Sequence, residues 1–213
     1  MSPAETASRY DRIARWWQEN APPVYGLSAL RLALRFAPTT GIALDVGCGS
    51  QGRFMEALRA HGFQTEGLDA SAEMIAIAQE RDPLSRYHTA DISGWIFPKR
   101  YDFISAWDST FHLPLALQEP VLRKLCAGLS AGGVLIFTCG GGEAGEIRGS
   151  FQGEEFGYST LGVESFVRIL DEEGCLCRHV EYDQYPEKHV VIIAESYGRK
   201  KASCAPSQGA QLA

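Results

Sequence analysis

The sequence of 213 residues lacks the features by which proteins usually bind a polyanion, a zinc ion or a lipid bilayer. Its formal net charge is −6 and its densest basic run is Arg199-Lys200-Lys201, so it has no basic stripe of the kind that binds nucleic acid. It has no C-x-x-C pair and no cysteine–histidine group with zinc spacing. It also lacks an apolar N-terminal leader and any run of about 18 apolar residues. We therefore expect a cytoplasmic protein with reduced thiols that binds neither nucleic acid nor membranes, and the oligomeric state stays open.

Hydrophobic residues make up 45% of the chain, which suffices for one domain with a full core. Two helices are predicted first, at Thr6–Glu19 and Tyr25–Phe36. Strands then alternate with helices from Ile42 to Thr138, an order typical of a parallel sheet with helices on both faces. The prediction is a Rossmann-like, doubly wound α/β fold preceded by an N-terminal helical cap.

The last third of the chain follows a different pattern. Residues 139–160 are rich in glycine and poor in periodic apolar residues, so we interpret them as a long loop that is functional or mobile. A helix is predicted at Leu161–Glu173, and strands at Cys175–Tyr182 and His189–Glu195. About six residues join these strands, too few for a parallel crossover, so the last strand is predicted to run antiparallel.

These patterns divide the chain into three parts. Residues 1–40 form a helical cap or lid, and residues 41–196 form the Rossmann-like domain. Residues 197–213, rich in Ser, Ala, Gly, Gln and Lys, are predicted to be a disordered tail.

The stretch "ALDVGCGSQGRF" directly after the first part contains Gly47, Gly49 and Gly52 in G-x-G-x-x-G spacing. Such a turn lets the backbone approach a ligand closely, but the spacing alone does not identify the ligand. Asp45, two residues before the first glycine, separates the candidates. A carboxylate repels the pyrophosphate of a dinucleotide, whereas it attracts the ammonium and sulfonium of S-adenosylmethionine. The charge of Asp45 therefore favours the sulfonium cofactor.

Two further carboxylates end the next predicted strands. Asp69 lies 22 residues after Gly47 and is placed to accept hydrogen bonds from ribose hydroxyls. Asp91 ends the third strand, where it can accept from an adenine amino group beside Ile92. A single aspartate at a strand end often caps the following helix or turn. Three in succession, at one edge of a sheet, indicate a ligand site.

The motifs "LDVGCGSQGRF", "GLDASAEMIAIAQER", "YHTADI", "YDFISAWDSTFHL" and "LRKLCAGLSAGGVLIFT" resemble, in order, those of class I S-adenosylmethionine-dependent methyltransferases. The resemblance spans about residues 42–138, and "YDRIARWW" is similar to a helix found before this domain in many members. It implies a seven-stranded sheet with an antiparallel last strand and S-adenosyl-L-homocysteine as product. It also implies a set of cofactor-binding residues: Tyr10, Asp45, Gly47, Cys48, Gly49, Asp69, Ala70, Asp91, Ile92 and Trp107.

Two departures narrow the class of acceptor. The stretch "WDST" after the fourth strand is unlike the Asn/Asp-Pro-Pro-aromatic motif of enzymes that methylate nucleic-acid amino groups. Metal-dependent catechol-type members carry an Asp-Asn pattern after the fifth strand. This sequence has "TCGG" at that place, so no metal is expected. Gln51, where glycine or alanine is commoner, is expected to have little consequence. The resemblance therefore implies in-line methyl transfer to a small molecule, at oxygen, nitrogen, sulfur or carbon.

Acceptor residues are predicted over the ends of the fourth and fifth strands. Asp108 and His112 are the candidate bases, although turn capping and packing are equally ordinary roles for them. Candidate substrate contacts are Trp17, Phe111, Tyr158 and His189. Two other hypotheses stay open: a nicotinamide-dependent oxidoreductase that uses the same glycine turn, and a non-catalytic protein that binds S-adenosylmethionine.

Overall fold

A computed structural model describes residues 1–198 of the protein. The helices are α1 (Pro3–Asn20), α2 (Leu27–Leu34), α3 (Arg53–His61), α4 (Ala72–Arg81), α5 (Leu115–Gly128) and α6 (Val163–Glu172). The strands are β1 (Gly41–Val46), β2 (Phe63–Asp69), β3 (Arg86–Thr89), β4 (Tyr101–Ala106), β5 (Leu129–Gly140), β6 (Gly145–Phe151), β7 (Glu154–Thr160), β8 (Cys175–Glu181) and β9 (His189–Ser196). A short 3₁₀ helix, Thr110–His112, follows β4. Except for Tyr197 and Gly198, the predicted tail lies outside the described residues.

Seven strands form one sheet in the order β3-β2-β1-β4-β5-β9-β8. Strands β1 to β5 pair in parallel, whereas β9 is antiparallel to both β5 and β8. The predicted doubly wound sheet with an antiparallel last strand is therefore confirmed. The strand order reverses between β1 and β4, and in open α/β sheets the crevice beyond that point is where ligands bind.

Alternate residues of the central strands supply the two halves of the core. On one face, side chains such as Ala43 and Phe103 pack with α2 and α3. On the other face, Leu44 and Ile104 pack in a cluster that includes residues of α5 and α6. Because both faces are covered, the strands read as continuous apolar runs. The helices thus cover both faces of the sheet, and a ligand can approach at the carboxyl ends of its parallel strands.

Residues 139–160 are not the long loop that the sequence predicts. They contain the end of β5 and a separate two-stranded sheet in which β6 pairs with β7 from Gly145↔Thr160 to Phe151↔Glu154. Gln152 and Gly153 make the two-residue turn, with φ of 49° and 79°, the positive values that a tight hairpin turn requires. The sequence pattern hides this hairpin because β6 has no buried residue, so it lacks an apolar face.

Helix α1 is fixed at its start and along its length. Ser2 and Glu5 form a capping box that satisfies the first backbone N–H groups. Ala14 packs against Met74 and Ile77 of α4. Arg12 makes a bidentate ion pair with Glu154 of β7, with both N–O distances 2.6 Å. The N-terminal helix is therefore held against the sheet domain on one side and the hairpin on the other.

No helix in residues 1–198 is both long enough and apolar enough to cross a bilayer.

A buried acid in β2 joins three strands. Glu66 is only 6% exposed and accepts hydrogen bonds from Lys99 (2.6 Å), Tyr101 (2.8 Å) and His88 (3.1 Å). Burial opposes its ionisation, but the hydrogen bonds from its three partners outweigh burial and lower the pKa of Glu66. The folded state therefore stabilises the ionised form of this carboxyl group.

We predict that Glu66→Gln lowers the free energy of unfolding by about 1–3 kcal/mol at neutral pH, because charge-assisted bonds are lost and donors are left unpaired. The loss should shrink as the pH falls below the ordinary glutamate value of 4.5, since a depressed pKa contributes stability only above that range. Urea unfolding at several pH values measures both effects. Glu80→Gln, at an exposed position of α4, is the control and should change little.

Candidate active site

A cavity lies beyond the carboxyl ends of β1, β2 and β4, with α1 across its opening. Its wall includes all ten residues predicted to contact the cofactor and both predicted catalytic residues. The lining also contains residues that the sequence did not single out: Pro3, Thr6, Ala7, Val46, Arg53, Phe54, Leu68, Met74, Ala90, Ser109, Thr110 and Leu113. Of the four predicted substrate contacts, Trp17 lines this cavity.

The glycine turn after β1 forms one side of the cavity. Gly47 has φ of +71°, and a side chain there would collide with Ser109. Gly49 has φ of +57°, and a Cβ there would meet only Trp17 Nε1, 3.9 Å away. Gly47 is thus required by the fold, whereas Gly49 keeps open space beside the backbone, as close approach of a ligand requires.

Asp45 lies at the base of the turn and is 5% exposed. Ser105 Oγ donates to its Oδ1 at 2.6 Å, and Oδ2 accepts no hydrogen bond within residues 1–198. Burial raises the pKa of Asp45 to about 6, although the bond from Ser105 and the charge of Arg53 act in the opposite direction. The protein's own groups thus compensate this carboxylate only in part, and it favours a cationic hydrogen-bond donor.

Arg53, the first residue of α3, is a cation of the cavity lining that no sequence motif singles out. Its Nε donates to the carbonyl of Tyr25 at 2.8 Å. Burial lowers the pKa of Arg53, and the charges of Asp45 and Asp108 oppose that shift. The cavity wall therefore carries a carboxylate and a guanidinium near each other. This pair is complementary to a zwitterionic amino acid rather than to a simple cation.

Asp69 and Asp91 stand at the next two strand ends. Asp69 accepts backbone N–H bonds from Gly49 and Ser71, both at 2.9 Å, and burial raises its pKa. Asp91 accepts from the backbone N–H of Ser93 at 2.8 Å. Each carboxylate thus organises its own loop, as the capping interpretation requires, while it also lines the cavity.

The loop after Asp91 is held by a lysine on α5. Lys124 Nζ donates to the carbonyls of Ile92 and Trp95, at 3.0 and 3.1 Å, and also to that of Ser93. One ammonium group therefore satisfies three backbone acceptors that follow the predicted adenine contact. No sequence motif predicts this role of Lys124, because its hydrogen bonds join residues about 30 positions apart.

Tyr10 of α1 and His112 form a buried pair over the cavity. The hydroxyl of Tyr10 lies 2.8 Å from His112 Nε2, and His112 Nδ1 lies 2.9 Å from the carbonyl oxygen of Gly157. A carbonyl oxygen only accepts, so Nδ1 carries the proton and Nε2 accepts from Tyr10. Burial lowers the pKa of His112 to about 4, which keeps the ring neutral.

Asp108 follows β4 and has a φ of +49°, which is unusual for a residue other than glycine. Its Oδ1 accepts from His189 Nε2 at 2.8 Å and from Thr138 Oγ1 at 3.2 Å. His189 Nδ1 lies 2.5 Å from Asp183 Oδ1. His189 does not line the cavity itself, and its ring stands behind Asp108 and against Trp107.

Phe111 and Tyr158 flank His112, with both ring centroids 4.8 Å from the imidazole. Neither lines the main cavity. Tyr158 lines a second recess beside the hairpin, and His112 and Leu113 line both this recess and the main cavity. The structure therefore places these two predicted substrate contacts behind the first layer of the cavity wall.

Two buried polar atoms of the cavity-lining residues have no hydrogen-bond partner within residues 1–198. They are Trp107 Nε1 and Thr6 Oγ1. Both side chains belong to the cavity lining and are at least nine-tenths buried. Orphaned polar groups are rare in folded proteins, and these two are consistent with a ligand that supplies the missing partners.

Gln51 has a larger role than the sequence analysis expected. Its Nε2 donates to the carbonyls of Gln18 (2.9 Å) and Ala21 (3.1 Å) at the end of α1, and the residue is 9% exposed. At the other face of α1, Asp11 Oδ1 accepts from Ser71 Oγ at 2.6 Å. The glycine turn and the start of α4 therefore both anchor the helix that closes the cavity.

Comparison of the chain with known proteins identifies one protein family. Residues 17–145 match the model of a methyltransferase domain. The chain is 29% identical over 153 residues to a ubiquinone biosynthesis O-methyltransferase of Sodalis glossinidius, covering 65% of this chain and 59% of that one. It is 33% identical over 155 residues to a malonyl-[acyl-carrier protein] O-methyltransferase of Bacillus cereus, covering 68% and 54%. The chain thus spans less than two thirds of the length of these relatives.

Among solved structures, the DhpI–SAH complex superposes with a TM-score of 0.72 at 21% identity and covers 92% of this chain and 98% of that one. At this identity, the likeness establishes the fold.

We predict that Gln51→Ala loosens the C-terminal end of α1, because two carbonyl groups lose their donor. Amide hydrogen exchange in α1 should accelerate, with a loss of about 1 kcal/mol in the free energy of unfolding. Gln79→Ala, at an exposed position of α4, is the matched control. Unchanged exchange in α1 of the Gln51 variant would contradict the anchoring role.

Proposed function

The chain belongs to the methyltransferase-domain family, and on that premise we propose that it is an S-adenosylmethionine-dependent methyltransferase that acts on a small molecule. The observation that carries the proposal is the presence of Asp45 and Arg53 in one cavity wall, close enough to shift each other's pKa, beside an open glycine turn. A pyrophosphate would suffer repulsion from Asp45, whereas an α-amino acid carries an ammonium for the carboxylate and a carboxylate for the guanidinium.

The residues present fit this cofactor. Asp45 Oδ2 and Arg53 would hold the amino-acid part, Asp69 the ribose, and Asp91 with Ile92 the adenine. Cys48, Ala70 and the open side of Gly49 would border the ligand, and Trp107 and Thr6, whose buried polar atoms lack a partner in the described residues, belong to the same lining. When bound, S-adenosylmethionine supplies a methyl group that its sulfonium already activates.

The chain then has to align the acceptor and exclude water. Positioning of this kind lowers a barrier by roughly 7–11 kcal/mol in favourable cases. Helix α1 places Tyr10 and Trp17 over the cavity, and Trp107 lies below, so the reacting region is enclosed by aromatic rings. Aromatic faces suit a reaction centre that carries dispersed positive charge.

The two sequence relatives reported above are methyltransferases by name and the solved structure is a complex with SAH, which disfavours the nicotinamide-dependent alternative. The two sequence relatives are O-methyltransferases by name, and the acceptor atom is not carried over to this chain at the identities found. We also propose that nucleic acid is not a partner, given the net charge of −6. A cytoplasmic location is supported by the unpaired state of the five described cysteines: Cys48, Cys126, Cys139, Cys175 and Cys177.

We predict that S-adenosylhomocysteine binds and that its affinity falls as the pH drops below about 6, the value to which burial raises the pKa of Asp45. The sign follows from linkage: the ligand's ammonium binds the ionised carboxylate, so protonation of Asp45 competes with binding. Asp45→Asn should weaken binding about tenfold to a hundredfold at neutral pH and remove this pH dependence. Titration calorimetry between pH 5 and 8 measures both.

Ser105→Ala gives a matched test of the same carboxylate. The bond from Ser105 lowers the pKa of Asp45, so its removal should move the midpoint of the pH dependence upward while binding at pH 8 persists. Tight binding of NAD without binding of S-adenosylhomocysteine would overturn the proposed function. Firm cofactor binding with no methyl transfer to any compound of a broad acceptor panel would favour the non-catalytic alternative.

A further inference from the structure

Asp108 is the carboxylate of the cavity that no part of the cofactor requires. It stands immediately after Trp107 at the end of β4 and lines the cavity. His189 and Thr138 both donate to its Oδ1, and the hydroxyl of Tyr25 also interacts with this carboxylate. The positive φ at Asp108 fixes the backbone in a conformation that asparagine and aspartate tolerate better than most residues.

His189 lies between two carboxylates. Its Nε2 contacts Asp108 at 2.8 Å and its Nδ1 contacts Asp183 at 2.5 Å. A carboxylate oxygen only accepts, so both ring nitrogens carry protons and the ring is an imidazolium. Burial disfavours this charge, but the bonds and charges of Asp108 and Asp183 outweigh burial and raise the pKa of His189. The bridge therefore holds Asp108 as a fixed negative charge at the cavity.

Two other ionisable side chains of the cavity lining near Asp108, His112 and Tyr10, are not placed to remove a proton. Both nitrogens of His112 are engaged, and its proton on Nδ1 is directed to Gly157. The hydroxyl proton of Tyr10 goes to His112, and burial raises the pKa of Tyr10, so it is not a phenolate. A carboxylate is itself a poor base for a hydroxyl acceptor, since the ordinary pKa values of a carboxyl and a phenol differ by about six units.

The cavity lining is also strongly anionic. It carries four carboxylates, at Asp45, Asp69, Asp91 and Asp108, against one guanidinium, at Arg53. With a cofactor of net charge +1 in place, a net charge of −2 remains, and the His189 imidazolium and the Asp183 carboxylate behind Asp108 cancel each other in this sum. This field repels an anionic acceptor such as a thiolate, phenolate or carboxylate, and it attracts positive charge.

We propose that the methyl acceptor is an amine, and that Asp108 stabilises the positive charge that forms on its nitrogen. The inference depends on the proposed function. The amine has to react in its neutral form, after its proton has passed to solvent. The nitrogen lone pair then forms the new bond to the methyl carbon, the carbon–sulfur bond breaks, and its electrons return to sulfur. Positive charge thus moves from sulfur to nitrogen, toward Asp108, and no base is needed in this step. The methylated ammonium loses its extra proton to water after release.

The S-adenosylhomocysteine complex with a protonated amine has the same charges as the product complex, so it can be tested without knowledge of the natural acceptor. The probes are matched sets that share a carbon skeleton: benzylamine, benzyl alcohol and benzoate, and cyclohexylamine, cyclohexanol and cyclohexanecarboxylate. Saturation-transfer NMR on protein saturated with S-adenosylhomocysteine should detect the amines and neither the alcohols nor the carboxylates.

Asp108→Asn should weaken amine binding about tenfold or more, because a charged partner is lost, while S-adenosylhomocysteine still binds. Asp171→Asn, an exposed position on α6, makes the same change of charge away from the cavity and should leave amine binding unchanged. With S-adenosylmethionine, the amines of the panel should gain a methyl group on nitrogen in preference to the alcohols.

The inference is overturned if alcohols or carboxylates bind as well as the amines, if Asp108→Asn leaves amine binding intact, or if no amine binds a protein that does bind S-adenosylhomocysteine. If Asp108→Asn does not fold, the selectivity of the unmodified protein among the three chemical classes decides by itself. Absence of S-adenosylhomocysteine binding would overturn the proposed function instead.

Discussion

A carboxylate buried at the end of a strand needs positive charge or hydrogen-bond donors around it, and Asp45 has too few of either. Ser105 supplies one hydrogen bond, and Arg53 is near enough to influence the pKa of Asp45. The surrounding glycine turn cannot carry side chains that would fill the space. A side chain at position 47 would collide with Ser109, and Gly49 has φ of +57°, which other residues rarely adopt. This incomplete compensation is the constraint from which the ligand chemistry of the cavity follows.

The rest of the fold keeps that cavity closed and its contacts fixed. Helix α1 is tied to α4 through Asp11, to the hairpin through Arg12 and to the glycine turn through Gln51. Lys124 holds the loop after β3 by its carbonyls. These ties come from four different elements, so the position of the cavity wall is over-determined, as a site that aligns two reactants requires.

The sequence predicts the sheet well because its strands are buried on both faces and read as long apolar runs. The three strand-end aspartates were found from the sequence because the carboxyl edge of a parallel sheet gathers them. The hairpin at 145–160 was missed because the exposed side chains of β6 give no apolar alternation. The sequence does not single out Arg53, because one arginine at the start of a helix forms no motif, although the carboxylate of a zwitterionic ligand also requires a cationic partner.

Contacts across long separations were the least predictable part of the site. Nothing local in the sequence indicates that Gln51 would bond to the end of α1, or that His189 would lie between Asp108 and Asp183. The hydrogen-bond partners of His112 likewise come from α1 and β7. These partners decide protonation, and protonation decides whether a side chain can act as a base. The protonation states of the side chains near the acceptor therefore follow from the structure and not from the sequence.

The most direct test of the central claim is a crystal structure of the complex with S-adenosylhomocysteine. We predict that the ligand's amino group lies within hydrogen-bond distance of Asp45 Oδ2 and that its carboxylate faces the Arg53 guanidinium. A complex in which the amino-acid part lies elsewhere, with Asp45 still bonded only to Ser105, would contradict the assignment of this carboxylate as the selector of the ligand.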